Sequence, residues 1–299
     1  MRLGVDLGGT KTEAVVLDHE GAIRARKRVP SAQSYEASIA LMADLVRSLE
    51  ADVGATCSVG IGAPGSPSPH TGLMRNANST WLNGQPLQRD LQAALGRPVR
   101  VANDADCFAV SEARDGAGAH GRVVFGVILG TGVGGGLVVD RALVSGANGV
   151  AGEWGHTPLP WTEPDEHPGP ACWCGKRGCI ETWLSGPAWR RWHRETFGQD
   201  LSPPEIAGRA EAGDPDSLAS LRLYADRLGR ALAMITTIVD PDVIVLGGGL
   251  SSVTPLYELV PPVIAAHAFS DSVSVKLQRA KHGDSSGVRG AAWLWDRPA

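Results

Sequence analysis

The stretch LGVDLGGTKTEAVVLDHEGAIRARKRV, residues 3–29, decides the fold. Apolar and β-branched residues fall in three short segments, LGVDL, TEAVVLD and AIRARKRV, separated by GGTK and HEG. Glycine breaks between such runs mark strand ends, because glycine adopts turn conformations that other residues resist. The pattern predicts a β-meander that starts almost at the first residue. It returns at VVFGVILG, TGVGGG and LVVDRALVSG, residues 123–146, with the same organisation and different residues. Two halves of one architecture follow from that repetition.

Between the meanders, Ile39, Met42, Leu45, Val46 and Leu49 recur at helical spacing and predict one amphipathic helix over Glu36 to Glu50. A buried strand is expected at Cys57 to Ile61, running into the loop GAPGSPSPHTG. Leu87 to Leu95 reads as a short helix, PVRVAND as a strand, and Ala105 to Arg114 as a helix, so a strand-to-helix junction falls at Asn103–Asp104. Residues 157–181, rich in Pro, Gly, Trp and Cys, have no clear period and form a long irregular excursion. A long helix through Leu218, Leu221, Ala225, Leu228, Leu232, Ile235 and Val239 follows. An apolar run, Val243 to Leu246, and a terminal helix over Gly287 to Trp295 complete the chain.

With 299 residues, 43% hydrophobic and 20% charged, the chain is long enough for a full core and suggests two domains. A formal charge of -4 supplies no broad basic surface for nucleic acid. No apolar run is long enough to span a bilayer and the start lacks a signal peptide's pattern, so a cytoplasmic protein with no membrane partner is expected.

The 38 glycines concentrate in runs at Gly8–Gly9, Gly130 to Gly136 and Gly247–Gly248–Gly249. Gly130 to Gly135 formally fits the dinucleotide pattern G-x-G-x-x-G, but a β pattern resumes at Leu137 where that fingerprint needs a helix. The segment reads as a hairpin turn. Glycine-lined turns let backbone N–H groups approach an anion, and Thr10, Thr12 and Thr131 add hydroxyls, so two such loops suit one polyphosphate. The alternative is that they only turn the chain. Lys11 is either a phosphate contact or a solvated charge. Asp6 either holds Mg²⁺ through water or caps its turn.

At the Asn103–Asp104 junction a carboxylate can accept a proton from a hydroxyl attacking phosphorus, while the amide orients another hydroxyl. Asp104 serves equally well as a helix N-cap. Cys172-x-Cys174-x4-Cys179 offers three thiolates in a polar, Gly-rich turn, which points to tetrahedral zinc with a structural role. His156 is the candidate fourth ligand, with His193 and His167 as rivals in sequence. Glu153 and Glu181 flank this segment, either gripping sugar hydroxyls or standing as exposed charges.

DLGGTKTE at 6–13, AND at 102–104, LGTGVGGG, GEWGH at 152–156, CWCGKRGCIE at 172–181 and VLGGGLS at 245–251 together resemble the ROK family of sugar kinases and repressors. The resemblance runs in order over essentially the whole chain. It implies an α/β protein with the actin-like ATPase (ribonuclease-H-like) fold, two domains with a cleft between them, and often a homodimer. The smaller domain would comprise 1–117 with the C-terminal helix at about 288–299, and the larger 118–287. The implied ligands are ATP, Mg²⁺, a hexose and structural Zn²⁺.

Carried over by position, Asp104 would be the catalytic base. Asn78, Asn103, Glu153, His156 and Glu181 would contact sugar hydroxyls. His156, Cys172, Cys174 and Cys179 would hold zinc, so His156 serves both through its two ring nitrogens. Asp6, Gly8, Gly9, Thr10, Lys11 and Thr12, with Gly130, Thr131, Gly132, Gly134 and Gly135, would face the phosphates. Gly247, Gly248 and Gly249 would face the adenosine. Within the family, NANSTWLNGQPL, AGEWGHTPLPW and AKHGDSSGVRGAAWLW most resemble the bacterial fructokinases, implying fructose as acceptor at O6 and mannose and glucose as slower substrates. The family's repressors carry a DNA-binding domain before the first glycine loop. Only five residues precede Asp6 here, so a kinase is expected over a DNA-bound or purely sensing protein.

Overall fold

The opening stretch forms three strands, β1 (Arg2–Leu7), β2 (Lys11–Leu17) and β3 (Ile23–Pro30), in a computed structural model that describes residues 1–295. Residues 296–299, counted above with the C-terminal helix, lie outside the described residues. The first two strands pair antiparallel with Val5 opposite Ala14, and β2 and β3 pair antiparallel as well. Their turn closes when Gly8 N–H donates to the Lys11 carbonyl at 3.1 Å. A Cβ on Gly8 would stand 2.7 Å from that carbonyl, so the turn admits no side chain there.

Helix α1 (Tyr35–Val53) is longer than its predicted span because both ends are capped. Ser34 accepts from Ala37 N–H, and Gly54, at φ 64°, closes the C-terminus. The chain continues through β4 (Ser58–Ala63), a small antiparallel pair β5 (Ser66–Pro67) and β6 (Met74–Arg75), α2 (Leu87–Leu95), β7 (Val99–Asn103) and α3 (Asp104–Arg114). The first sheet has the order β3-β2-β1-β4-β7, with β4 parallel to both β1 and β7.

The second meander gives β8 (Val123–Leu129), β9 (Val133–Val139) and β10 (Ala142–Leu143). Helices α4 (Glu181–Leu184), α5 (Gly186–Phe197), α6 (Pro203–Glu211) and α7 (Pro215–Val239) precede β11 (Val243–Gly247). The chain closes with α8 (Leu256–His267), β12 (Lys276–Arg279) and α9 (Ser286–Trp293). The second sheet has the order β10-β9-β8-β11-β12, the same pattern as the first, so the two halves share one architecture. One expectation needs correcting: β9 starts at Val133, so Gly134 and Gly135 lie in a strand rather than in the turn.

Contacts divide the chain into two units. One comprises Met1–Arg122, Gly136–Gly152 and the chain from Lys281 on; the other comprises Val123–Gly135 and Glu153–Ala280. The core of the first is built on Leu3, Val5, Ala14, Val16, Met42, Val46, Leu49, Val59 and Ile61, all out of contact with solvent. Helix α9 lies flush on this sheet, and a Cβ on Gly60 would stand 1.9 Å from the Ala291 carbonyl. Among the described residues, no helix is long and apolar enough to cross a membrane.

Candidate active site

In the first unit, Asp6 stands one residue before the end of β1, opposite Gly62 of β4, while Asn103 and Asp104 stand where β7 passes into α3. Asn103, not Asp104, is the N-cap. Its Oδ1 accepts from Ala105 N–H at 2.8 Å and its Nδ2 donates to the Gly65 carbonyl at 3.1 Å. Asp104 is the first helical residue and exposed, with Oδ1 also accepting from Ala105 N–H at 2.8 Å. Burial, and then the charge of Asp104, push the Asp6 carboxyl up to about 7. A carboxylate held against like charge in this way is suited to receive a cation or a proton.

The turn after β1 is braced from the end of β3. Ser31 N–H donates to the Thr10 carbonyl at 3.1 Å, and its hydroxyl donates to the Gly8 carbonyl at 2.6 Å. Thr12 departs from expectation: it is fully buried and its hydroxyl pairs with that of Ser31 at 2.9 Å. It buttresses the turn, whereas Gly9, Thr10 and Lys11 are exposed. Asn78 is exposed next to Ala77, which Asn83 brackets with two hydrogen bonds of 2.9 Å. A cavity of about 540 Å³ in this unit has Asn103 on its wall, together with Ser66, Arg100, Asp106 and Arg141.

In the second unit the turn from β8 to β9 is narrow. Gly130 N–H donates to the Gly132 carbonyl at 3.0 Å, and Thr131 is exposed at the tip. Sequence reasoning missed that α5 begins here: Gly186 N–H donates to the Gly130 carbonyl at 2.7 Å. A helix N-terminus beside a glycine turn favours a bound anion. Its signal was Ser185 followed by Gly-Pro, an N-cap before a helix-starting proline, and the Ser185 hydroxyl does accept from Ala188 N–H. The third glycine run meets the end of β8. Gly248, at φ 77°, lies so close that a Cβ would stand 2.3 Å from the Leu129 carbonyl.

Glu153 is exposed at the start of a short 3-10 turn over Trp154–His156. The Trp154 indole N–H donates to the Gly134 carbonyl at 2.9 Å and fixes that turn against β9. Glu181, the first residue of α4, has both carboxylate oxygens engaged. Oε2 accepts from Val133 N–H at 3.0 Å and Oε1 from the Trp173 indole N–H at 2.7 Å.

His156, Cys172, Cys174 and Cys179 converge, their ligand atoms all within 4.8 Å of one another. Cys172 Sγ is 3.6 Å from His156 Nδ1, and Cys174 Sγ is 3.6 Å from Cys179 Sγ. Tetrahedral zinc, with bonds of about 2.0 to 2.3 Å, needs ligand separations of roughly 3.3 to 3.8 Å; two pairs already stand at 3.6 Å and none is wider than 4.8 Å, so three thiols and an imidazole fit the ion after a small closing movement. Burial, and then the neighbouring thiols, push the Cys179 thiol up to about 12, a cost that a bound cation removes. With Nδ1 facing the cysteines, His156 Nε2 is on the opposite side of its ring. His193 is excluded from this group: it is buried in α5 with neither ring nitrogen hydrogen-bonded. His167 does not join the cluster either.

Two sheets of one strand order, each opened by a meander with a glycine turn, define the actin-like ATPase fold. The chain belongs to the ROK family, whose model matches residues 2–297. It is 41% identical to an N-acetyl-D-glucosamine kinase from Citrobacter koseri, over 98% of this chain and 99% of that protein. Among solved structures, a ROK hexokinase from Thermus thermophilus superposes with a TM-score of 0.87 at 30% identity, covering 98% of this chain and 97% of that one. A ROK family glucokinase from Streptomyces griseus, in complex with glucose and AMPPNP, matches with a TM-score of 0.76 at 29% identity over 98% of both chains.

Proposed function

We propose that this chain is an ATP-dependent hexose kinase that transfers the γ-phosphoryl group to the 6-hydroxyl of an N-acetylated hexose. The observation that carries the transfer is the strand-to-helix junction at Asn103–Asp104, where an exposed carboxylate stands beside a second carboxyl, Asp6, pushed up to about 7. Asp104 accepts the hydroxyl proton as the oxygen forms its bond to phosphorus and the bond to ADP breaks. Asn103, Glu153, His156, Glu181 and Asn78 bind the other sugar hydroxyls. The glycine turns between β1 and β2 and between β8 and β9 bind phosphate through backbone N–H groups, and Gly247–Gly249 border the adenosine.

Asp6 is the carboxylate that would hold Mg²⁺ through water, and the ion would supply charge neutralisation on the phosphates. Zinc fits His156, Cys172, Cys174 and Cys179, and four protein ligands give it a structural role. The two-domain division at 117/118 and 287/288, the homodimer and the cytoplasmic location belong to the same reading.

The N-acetyl-D-glucosamine kinases to which the chain is 40 to 41% identical support an N-acetylated acceptor. Fructose is the second reading, carried by the fructokinase-like stretches NANSTWLNGQPL and AKHGDSSGVRGAAWLW. A coupled assay of kcat/KM with ATP on N-acetylglucosamine, fructose, mannose and glucose decides between them. The first reading expects N-acetylglucosamine to lead; a lead for fructose overturns it, and turnover of none of the four overturns the kinase.

A further inference from the structure

Trp173 sits between the first two cysteines of the zinc-type hairpin, and neither the zinc site nor the phosphoryl transfer uses it. Its side chain is 67% exposed, so it adds little to the core. The indole is nevertheless fixed. Its N–H donates to Glu181 Oε1 at 2.7 Å, within the range of hydrogen bonds to a charged acceptor. Its ring meets that of His156 edge to face, with centroids 4.8 Å apart and planes at 90°. One side chain thus touches two groups that the proposed function assigns to the sugar.

Glu181 shows what this contact controls. The Val133 amide holds Oε2 from the start of β9, and Trp173 holds Oε1 from the cysteine hairpin. Two donors from different segments set the carboxylate plane, and the remaining lone pairs point where that plane dictates. Without the indole, Oε1 loses its donor and the group can rotate. His156 is similarly restrained on two sides, by Cys172 at Nδ1 and by the indole ring.

We infer that Trp173 is a positioning residue for the acceptor sugar, orienting Glu181 through its N–H and His156 through its ring. The inference rests on the proposed function, since it takes Glu181 and His156 as sugar ligands. It also gives the hairpin a purpose: with zinc held by His156, Cys172, Cys174 and Cys179, the turn that presents the indole would be stiffened. A role confined to covering the hairpin would make Trp173 matter for zinc and stability and not for sugar.

W173F keeps a ring beside His156 and removes the donor; W173A removes both. Exposure at this position leaves both variants able to fold. Measured on the zinc-loaded protein, W173F is expected to raise the sugar KM about tenfold and W173A further, the loss of one oriented contact. ATP KM, zinc per chain and thermal midpoint should stay at wild-type values. Wild-type sugar KM in W173F overturns the inference, as does a shift in ATP KM or zinc content that accompanies the sugar KM. Calorimetry of sugar binding separates this inference from the kinase reading. A wild-type protein that binds sugar without phosphorylating it defeats the kinase, and positioning is then decided by whether W173F weakens that binding. A wild-type protein that binds no sugar overturns both.

Discussion

Glu166 and Arg230 form a bidentate ion pair with almost no access to solvent, Oε2 lying 2.8 Å from Nη1 and Oε1 2.9 Å from Nη2. Arg227 adds a third hydrogen bond, from Nε to Oε1 at 2.7 Å, and its guanidinium lies 4.5 Å from the centre of the Trp183 ring. The aperiodic segment 161–171 is thereby fastened to α7. Its other end runs into the cysteine hairpin, where Gly178 N–H donates to the Pro170 carbonyl at 2.8 Å. An irregular loop with no core of its own is held by a buried ion-paired joint at one end and by the zinc-type cluster at the other.

Glu166→Gln leaves two buried guanidinium groups facing a neutral partner, so it should cost about 3 to 5 kcal/mol. Burial acts to raise the Glu166 carboxyl, but hydrogen bonds from Arg230 and then Arg227 outweigh it and bring it from 4.5 down to about 2. A depressed carboxylate contributes stability that is present above its unfolded value and lost as pH falls through the folded one. Wild-type stability should therefore drop between about pH 4.5 and 2, by roughly 3 kcal/mol for this group. In the Gln variant that drop should be absent. Thermal unfolding of both proteins across this range is the measurement, and parallel pH profiles would defeat the account.

That joint was beyond sequence reasoning for a physical reason: Glu166 lies 61 and 64 residues from its partners, and nothing local announces a pairing at that distance. What was legible was local. The opening meander, the α1 stripe and the strand ending at Asn103 are set by period and by glycine breaks, and each forms close to where it was expected. The cysteine cluster was legible because its spacing is itself the chemistry. Thr12 was misread because alternation along β2 turns it inward, to Ser31 of the adjoining strand's end. Gly136 belongs to a strand because α3 packs on it, and a Cβ there would stand 2.8 Å from that of Ala109. Helix α6 carried a readable signal in Ser202-x-x-Glu205, and the structure has that capping box.

Asp104→Asn keeps the shape of the junction and removes the proton acceptor. Turnover should fall by about 10² to 10⁴ while sugar affinity changes little. The same substitution gives a second readout. The Asp104 charge is the largest cause, after burial, of the rise in Asp6, so carboxyl NMR should find the Asp6 titration near 7 moved to lower pH. A raised carboxyl contributes stability that is complete below its unfolded value of 3.8 and lost as pH rises through about 7, and the variant should lose less of it. Near-normal turnover would remove Asp104 from the role of base.

The purified protein should contain about one zinc per chain, and Cys174→Ser should abolish it. Loading the metal-free protein should release protons, since thiols such as that of Cys179, pushed up to about 12, must become thiolates to bind. Calorimetry in two buffers of different ionisation enthalpy counts those protons. Fully active, freshly purified protein without zinc would end the zinc assignment.

Gly132→Ala and Gly248→Ala separate stability from sugar binding within one loop system. A Cβ on Gly248 would press on the Leu129 backbone at 2.3 Å, and Gly248 already stands at φ 77°, so Ala there forces two strand ends apart. Its expected effect is a large drop in thermal midpoint. A Cβ on Gly132 would instead meet Glu181 Oε2 at 2.7 Å, the tip of a side chain that can move. The Ala variant should fold with near-normal stability but displace the carboxylate from Val133. Sugar KM should then rise about tenfold, comparable to the loss of one oriented contact, with zinc retained. A sugar KM unchanged in a folded Gly132→Ala protein would mean that the Glu181 carboxylate does not bind the acceptor.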